Sequence, residues 1–183
     1  MTALITGASV GIGASYAKQL AAAGSDLVLV ARDVTRLEVL AAELKSAHGV
    51  QVEVLQADLS DRAQLDKICA RAAQDDIDLV VNNAGFGVDG AFEAMSDEII
   101  EKQFNTNVFG LMRVTREAIK HMRPTGGGII IQISSMGGKI TFPLYSIYHA
   151  TKFAVEGFTE SLHYELSQFN IKIKLIEPGP IVT

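Results

Sequence analysis

The chain has 183 residues, 48% hydrophobic and 20% charged, which suits one domain with a substantial core and excludes a disordered chain. Its net charge is −5 with both signs spread along the sequence, which argues against nucleic acid as a partner, a role that favours a basic face. The single cysteine, Cys69, excludes an internal disulfide and fits a reducing compartment; no apolar run approaches the ~20 residues of a membrane span, and the N-terminus lacks the features of a secretory signal, so the sequence reads as soluble and cytoplasmic.

The first element is a short apolar strand over residues 2–6. It runs into Thr6-Gly7-Ala8-Ser9-Val10-Gly11-Ile12-Gly13 and then a helical run over residues 14–23. Strand, glycine-rich turn and helix in that order give a glycine motif structural meaning. Gly7 permits the tight turn, Gly11 removes a side chain where backbone must approach a pyrophosphate, and Gly13 lets the helix pack closely on the strand. Phosphates would then meet free N–H groups and the positive end of the helix dipole.

Residues 26–31 form a second buried strand, and Arg32 stands at its end, where dinucleotide folds meet the adenosine ribose. A carboxylate there would suit a free 2′-hydroxyl, a cation a 2′-phosphate; Asp33 follows and leaves the local sign mixed. An amphipathic helix covers residues 36–44, with Gly49 closing the unit. Residues 51–56 alternate like a third strand, Asp58 stands at its end on the adenine side, and Ser60 or Asp61 would cap a helix running through Ala73. Within that helix, Cys69 reads as a small buried hydrophobe. Asp75-Asp76-Ile77-Asp78 lacks a distant His or Glu partner and reads as a solvated loop, with no metal site expected.

Leu79-Val80-Val81 is a fourth strand, followed by Asn82-Asn83-Ala84-Gly85. Asparagine amides can bridge strand ends, and Ala84 and Gly85 leave room for a flat ligand against the backbone. A long helical run then starts at Ser96 and ends near Arg123-Pro124. Asn107 is a poor residue for its middle. It fits either a local bend that exposes a backbone carbonyl to water or a buried asparagine with satisfied bonds. After the turn Thr125-Gly126-Gly127-Gly128, residues 129–134 form a fifth strand ending beside Ser135, and residues 171–176 a sixth. Six strands alternating with helices predict a Rossmann-type, doubly wound parallel α/β sheet. His48, His121, His149 and His163 read as incidental.

Between the last two strands, Tyr148 and Lys152 sit four positions apart, one turn apart on one face of a helix. A phenol is a weak acid at neutral pH, and an ammonium fixed beside it favours the phenolate. The pair can then serve as a general acid and base. Ser135 precedes Tyr148 by thirteen positions, and a strand-loop-helix path could bring all three polar groups to one carbonyl oxygen. The apolar stripe Phe153, Val155, Phe158, Leu162, Leu166 and Phe169 reads as core or a dimer face.

Taken together, Thr6-Gly-x-x-x-Gly-x-Gly13, Asp58, Asn82-Asn-Ala-Gly85, Asn107, Ser135, Tyr148-x-x-x-Lys152 and Pro178-Gly179-x-x-x-Thr183 resemble the single-domain short-chain dehydrogenase/reductase family in order and spacing, across residues 1–183. The resemblance implies an oxidoreductase that interconverts ketones or aldehydes and alcohols. Tyr148 would exchange the proton with the substrate oxygen and Ser135 would polarise that oxygen. Lys152 would lower the tyrosine pKa and hold the nicotinamide ribose, and Asn107 would anchor a proton-relaying water. The resemblance also implies cofactor contacts from Thr6, Gly7, Ser9, Gly11, Ile12 and Gly13 in the first turn, and from Arg32, Asp58 and Leu59 on the adenosine side. Asn83, Ala84, Gly85, Pro178 and Gly179 would line the rest, with Thr183 at the nicotinamide carboxamide. Arg32 matches a basic position of NADP-preferring members, so NADP(H) is expected, with NAD(H) possible because Val10 stands where some of those members carry a second basic residue.

The family's usual substrate-covering region and seventh strand would follow Thr183, so the resemblance also implies a C-terminally incomplete chain, with the sixth strand at a sheet edge. A homodimer or homotetramer through the two long helices is expected. A regulatory dinucleotide-binding protein without turnover could dispense with Tyr148 or Lys152, and both are present. The glycine spacing Gly-x-x-Gly-x-x-Gly of sugar-nucleotide epimerases does not fit Gly7, Gly11 and Gly13.

Overall fold

The computed structural model describes residues 1–74 and 76–181. Six strands, β1 (Thr2–Thr6), β2 (Asp26–Ala31), β3 (Val52–Gln56), β4 (Ile77–Asn82), β5 (Gly128–Ile133) and β6 (Ile171–Ile176), form one sheet in the order β3-β2-β1-β4-β5-β6. Every pairing is parallel. The strands are connected through α1 (Gly11–Ala22), α2 (Val34–His48), α3 (Arg62–Ala72), α4 (Asp97–Phe104), α5 (Leu111–Thr125) and α6 (Ser146–Leu166).

Helices cover both faces because the central strands are apolar on both. Along β1, Ala3 and Ile5 belong to one core cluster with α1 and α2, through Ala17, Ala21, Leu37 and Leu44. Leu4 points the other way, into a cluster with Leu65 and Ile68 of α3, Val114 and Met122 of α5 and Leu166 of α6. This is the period-two alternation of a strand buried on both sides. Cys69 is buried in the second cluster as a packing residue. Full burial of such a leucine or isoleucine contributes about 1.5–3 kcal/mol.

The strand order reverses between β1 and β4. In an open parallel sheet this is the switch point at whose carboxyl ends a crevice opens. The elements flanking it determine the crevice wall.

The sequence predicts one helical run from Ser96 to Arg123-Pro124; the structure divides it. Residues Asn105–Gly110 form a π-helical turn between α4 and α5. The expected bend at Asn107 is therefore present as a widened turn, the kind that inserts one extra residue and bends the axis. The acidic residues described at the start of β4, Asp76 and Asp78, are exposed to solvent as expected, and each also has a partner. Arg71 makes a two-pronged bond to Asp76, 2.8 Å on each arm, and another to Glu53 at 2.8 Å. Asp78 accepts the Thr2 N–H at 2.9 Å; Asp75 lies outside the described residues. Among the described residues, no helix is long and apolar enough to cross a membrane. No cluster of His, Cys, Asp and Glu among them could hold a metal ion.

Candidate functional site

A cleft of about 1100 Å³ runs along the carboxyl ends of β1, β2, β4 and β5. Its first wall is the glycine turn. Gly7 adopts φ 65° and Gly11 φ 57°, the left-handed region that glycine enters without strain. Asn83 locks this turn: its Nδ2 donates to the Thr6 and Gly7 carbonyls, each at 3.0 Å. Thr6 Oγ1 accepts the Asn83 and Ala84 N–H groups, each at 3.0 Å. The asparagine thus bridges two strand ends, as the sequence suggested. Thr6 and Gly13 lie behind the wall, because the Thr6 hydroxyl is already used in holding the β4 end.

The α1 N-terminus opens on the cleft through Gly11 and Ile12 with no side-chain cap from Val10 and no acidic residue in its first turn. Its leading N–H groups and dipole therefore suit an anion supplied from outside the chain. Ser9 lines the same corner.

At the opposite end stand Arg32, Asp33, Arg36, Asp58 and Leu59. Burial alone would raise the Asp58 carboxyl, but bonds from the Ser60 N–H and O–H, 2.8 and 2.7 Å, together with Arg32, hold it below the usual range. The Arg32–Asp58 pair is long, 3.9 Å, and the Arg32 side chain is 67% exposed. Its guanidinium is free to meet a ligand. Arg36 lies in the cleft wall beside it, 3.3 Å from Asp33, which caps α2 through the Arg36 N–H. In the sequence Arg36 reads only as the start of an amphipathic helix. The four-residue spacing from Arg32 crosses a strand end and a cap, so helical spacing could not reveal it.

The middle of the cleft is lined by Ala84, Gly85, Phe86, Gly87, Ser135, Tyr145, Tyr148 and Lys152. Tyr148 is half-buried, and its ring is flanked by two glycines. A Cβ on Gly87 would come 3.0 Å from the ring, and one on Gly137 3.2 Å from it. Lys152 is 6% exposed; its Nζ donates to the Ile133 carbonyl at 2.9 Å and lies 5.8 Å from the Tyr148 ring centre. Burial lowers its pKa to about 8, against the opposing pull of Glu156. It is therefore charged at neutral pH and loses its charge as pH rises through about 8. Ser135 Oγ accepts the Gly137 N–H at 3.0 Å, which leaves the hydroxyl proton available to another acceptor. Pro178 and Gly179 reach the wall because Met136 N–H bonds the Pro178 carbonyl at 2.9 Å. Thr183 lies outside the described residues.

Asn107 is buried behind this wall. Its side chain accepts the Phe86 N–H at 3.0 Å, donates to the Phe86 carbonyl at 2.8 Å and donates to Thr151 Oγ1 at 3.1 Å. Thr151 in turn donates to the Tyr148 carbonyl at 2.7 Å. Asn107 is thus a satisfied buried amide on a widened turn.

His149 corrects the reading of all histidines as incidental. It is buried, its Nε2 accepts the Phe142 N–H at 2.7 Å, and its Nδ1 lies 2.8 Å from the Gly137 carbonyl. An acceptor at Nε2 requires the proton on Nδ1, so a neutral ring ties the loop after Ser135 to α6.

Over residues 1–183 the sequence matches the short chain dehydrogenase family. It is 39% identical to human retinol dehydrogenase 8 over 185 residues, spanning 100% of this chain but 59% of that protein's length. The fold matches a short-chain dehydrogenase from Sphingobium yanoikuyae solved in complex with NADPH, at TM-score 0.97 and 41% identity, covering 99% of this chain and 71% of the other. It also matches the bulky-bulky ketone specific alcohol dehydrogenase of Comamonas testosteroni, at TM-score 0.96 and 35% identity, covering 100% and 76%.

Proposed function

This chain belongs to the short-chain dehydrogenase family, and from that premise we propose that it is an NADP(H)-dependent oxidoreductase interconverting a ketone or aldehyde and the corresponding alcohol. The observation that carries the reading is the buried Lys152 ammonium beside the Tyr148 ring in the wall that Ser135 also lines. Residues 1–183 act as one dinucleotide-binding unit in this reading.

Tyr148 donates its hydroxyl proton to the substrate oxygen in reduction and accepts it in oxidation. Ser135, its oxygen already bonded by the Gly137 N–H, directs its own proton at the same substrate oxygen and polarises it. The Lys152 ammonium favours the phenolate that remains when the proton leaves. Asn107, on the widened turn, offers its backbone carbonyl as the anchor of the water through which the proton exchanges outward. Acid–base assistance of this kind is worth roughly 10²–10⁴-fold.

The cleft fits a dinucleotide along its length. The open α1 N-terminus suits a pyrophosphate, Arg32 and Arg36 suit a 2′-phosphate, and Asp58 with Leu59 would meet the adenine edge. Ala84 and Gly85 leave space for a flat ring system, Lys152 can hold ribose hydroxyls, and Pro178 with Gly179 flank the nicotinamide end. When bound, the cofactor supplies or accepts the hydride. The test is a panel of ketones, aldehydes and secondary alcohols with each cofactor, followed by nicotinamide absorbance. Tight cofactor binding with no turnover on any carbonyl would favour the regulatory, non-catalytic alternative.

Arg32 sets the cofactor preference. Arg32→Asp should shift the ratio of NADP to NAD affinity toward NAD by about tenfold or more, since a charge-assisted bond is worth roughly 1.5–3 kcal/mol and exposure weakens it. Titration of both cofactors against both proteins measures this. Equal affinities of the unaltered protein for NAD and NADP would contradict it.

A second copy of the chain is the partner we assign to the outer face of α5 and α6. A groove of about 550 Å³ there has an apolar floor of Ile119, Phe158 and Leu162, with Arg113, Arg116 and Lys120 on one rim and Glu165 on the other. Two copies related by a two-fold axis would set the basic helix of one against the acidic helix of the other. Light scattering should give a dimer or tetramer that Glu165→Lys, which reverses the acidic rim, weakens; a monomer at all concentrations would contradict it.

A further inference from the structure

One turn beyond Lys152 on α6 lies a second ionisable group that the proton exchange described above does not use. Glu156 is 4% exposed, and its Oε1 meets no hydrogen-bond donor. Its close neighbour is Lys139, whose Nζ lies 2.9 Å from Oε2, a salt bridge at hydrogen-bonding distance. Gly138 makes the space: a Cβ there would come 2.8 Å from both Glu156 Cγ and Ser134 Oγ and 3.0 Å from Glu156 Oε1. A buried carboxylate held by one ammonium on one oxygen is still costly to retain, and replacing buried ion pairs by neutral groups is often neutral or stabilising.

Lys152 has the converse problem. It is a nearly buried ammonium with one backbone carbonyl as its hydrogen-bond partner. Among the described residues, the ionisable groups around the two on α6 itself are Tyr148, His149, Glu156 and Glu160; from the loop after β5 comes Lys139, which also reaches Glu160 at 3.0 Å; from the segment after β6 comes Glu177, 3.7 Å from Lys139. Glu156 and Glu160 hold Lys139 protonated far above the usual lysine range. Glu156 alone opposes the effect of burial on Lys152.

We infer that Glu156 is a positioning residue for the proton-exchanging pair: its buried carboxylate, one helical turn from Lys152, attracts and holds that ammonium, and Lys139, paired with the same carboxylate, tempers the attraction. The inference rests on the reading of Tyr148 and Lys152 given above. Without Glu156, Lys152 would discharge at lower pH and cease to favour the tyrosinate. Without Lys139, the carboxylate would act on Lys152 more fully.

The test is carbon-13 NMR of the lysine Cε signals of the cofactor-free protein across pH, with Lys152 assigned through Lys152→Arg. Glu156→Gln should move the Lys152 midpoint down by about one pH unit, as removal of an opposite charge one helical turn away predicts, and Lys139→Gln should move it up by about half a unit, because the ammonium that shields Glu156 is gone. The alkaline limb of the kcat profile should move in the same two directions. A purely structural role would lower the melting temperature and scale activity equally at every pH, leaving the midpoints in place. Unchanged Lys152 midpoints in both variants would overturn the inference. Shifted midpoints with an unmoved kcat limb would instead overturn the assignment of Tyr148 and Lys152. Lys139 is half-exposed, so its variant decides the matter even if Glu156→Gln does not fold.

Discussion

Replacing Tyr148 with phenylalanine is expected to lower turnover by roughly 10²–10⁴-fold while leaving cofactor affinity within about twofold. The substitution keeps the ring between Gly87 and Gly137 and removes only the hydroxyl. The wall of the cleft, the Asn107–Thr151 link to the Tyr148 carbonyl and the seat of Lys152 all survive, because each uses backbone or other side chains. What is lost is the group that exchanges a proton with the substrate oxygen. Steady-state rates and a cofactor titration on the same preparation separate the two effects. Near-normal turnover would refute the role of Tyr148, and a collapse of cofactor affinity would mean that the hydroxyl serves binding rather than chemistry.

Gly13→Val should act in the opposite sense, on binding and fold before chemistry. A Cβ at position 13 would lie 2.3 Å from the Gly7 carbonyl oxygen and 2.6 Å from Asn83 Nδ2. Both atoms belong to the bond by which Asn83 fixes the glycine turn. Neither is the loose end of a flexible side chain, so the turn itself must move. Overpacking of this kind costs about 1–3 kcal/mol or more, which for a chain of this length is a fall in melting temperature of roughly 2–12 °C. The displaced turn no longer aims the α1 N–H groups together, and cofactor affinity should fall by on the order of 100-fold, an estimate built from several charge-assisted bonds of roughly 1.5–3 kcal/mol each. Thermal melts and cofactor titration check both. Unaltered affinity would show that the turn tolerates movement and that phosphate binding is carried elsewhere, by Arg32 and Arg36.

These two residues belong to the part of the site that was legible in the sequence. Gly13 is announced by its neighbours Gly7 and Gly11 between a strand and a helix, and Tyr148 by Lys152 one turn away. The bounds of β1, β2 and β6 agree in sequence and structure: the first two are apolar runs buried on both faces, and β6, at the sheet edge, alternates isoleucine with lysine over its first four residues. Asn107 was legible as a misfit in a helix, and the π-helical turn is the backbone's answer to it.

The rest depends on distant pairings that no spacing encodes. Arg36 joins Arg32 only because the α2 cap at Asp33 turns the helix toward the cleft. His149 works because residues 137 and 142 return to it across a loop. Asp76 is neutralised by Arg71 from the end of α3. Glu156 looks like one more charge on a long helix until Lys139 and the missing side chain of Gly138 enclose it. Local periodicity reports which face of an element is buried; it does not report which polar group from another element meets it there.

The most direct measurement of the central claim is transfer of deuterium from NADPH labelled at the hydride-donating carbon to an accepted ketone or aldehyde, in a single turnover. Deuterium should appear on the carbinol carbon of the alcohol with the unaltered protein, at a rate lowered by roughly 10²–10⁴-fold in Tyr148→Phe. Absence of label from every product, or equal rates of label transfer in the two proteins, would contradict it.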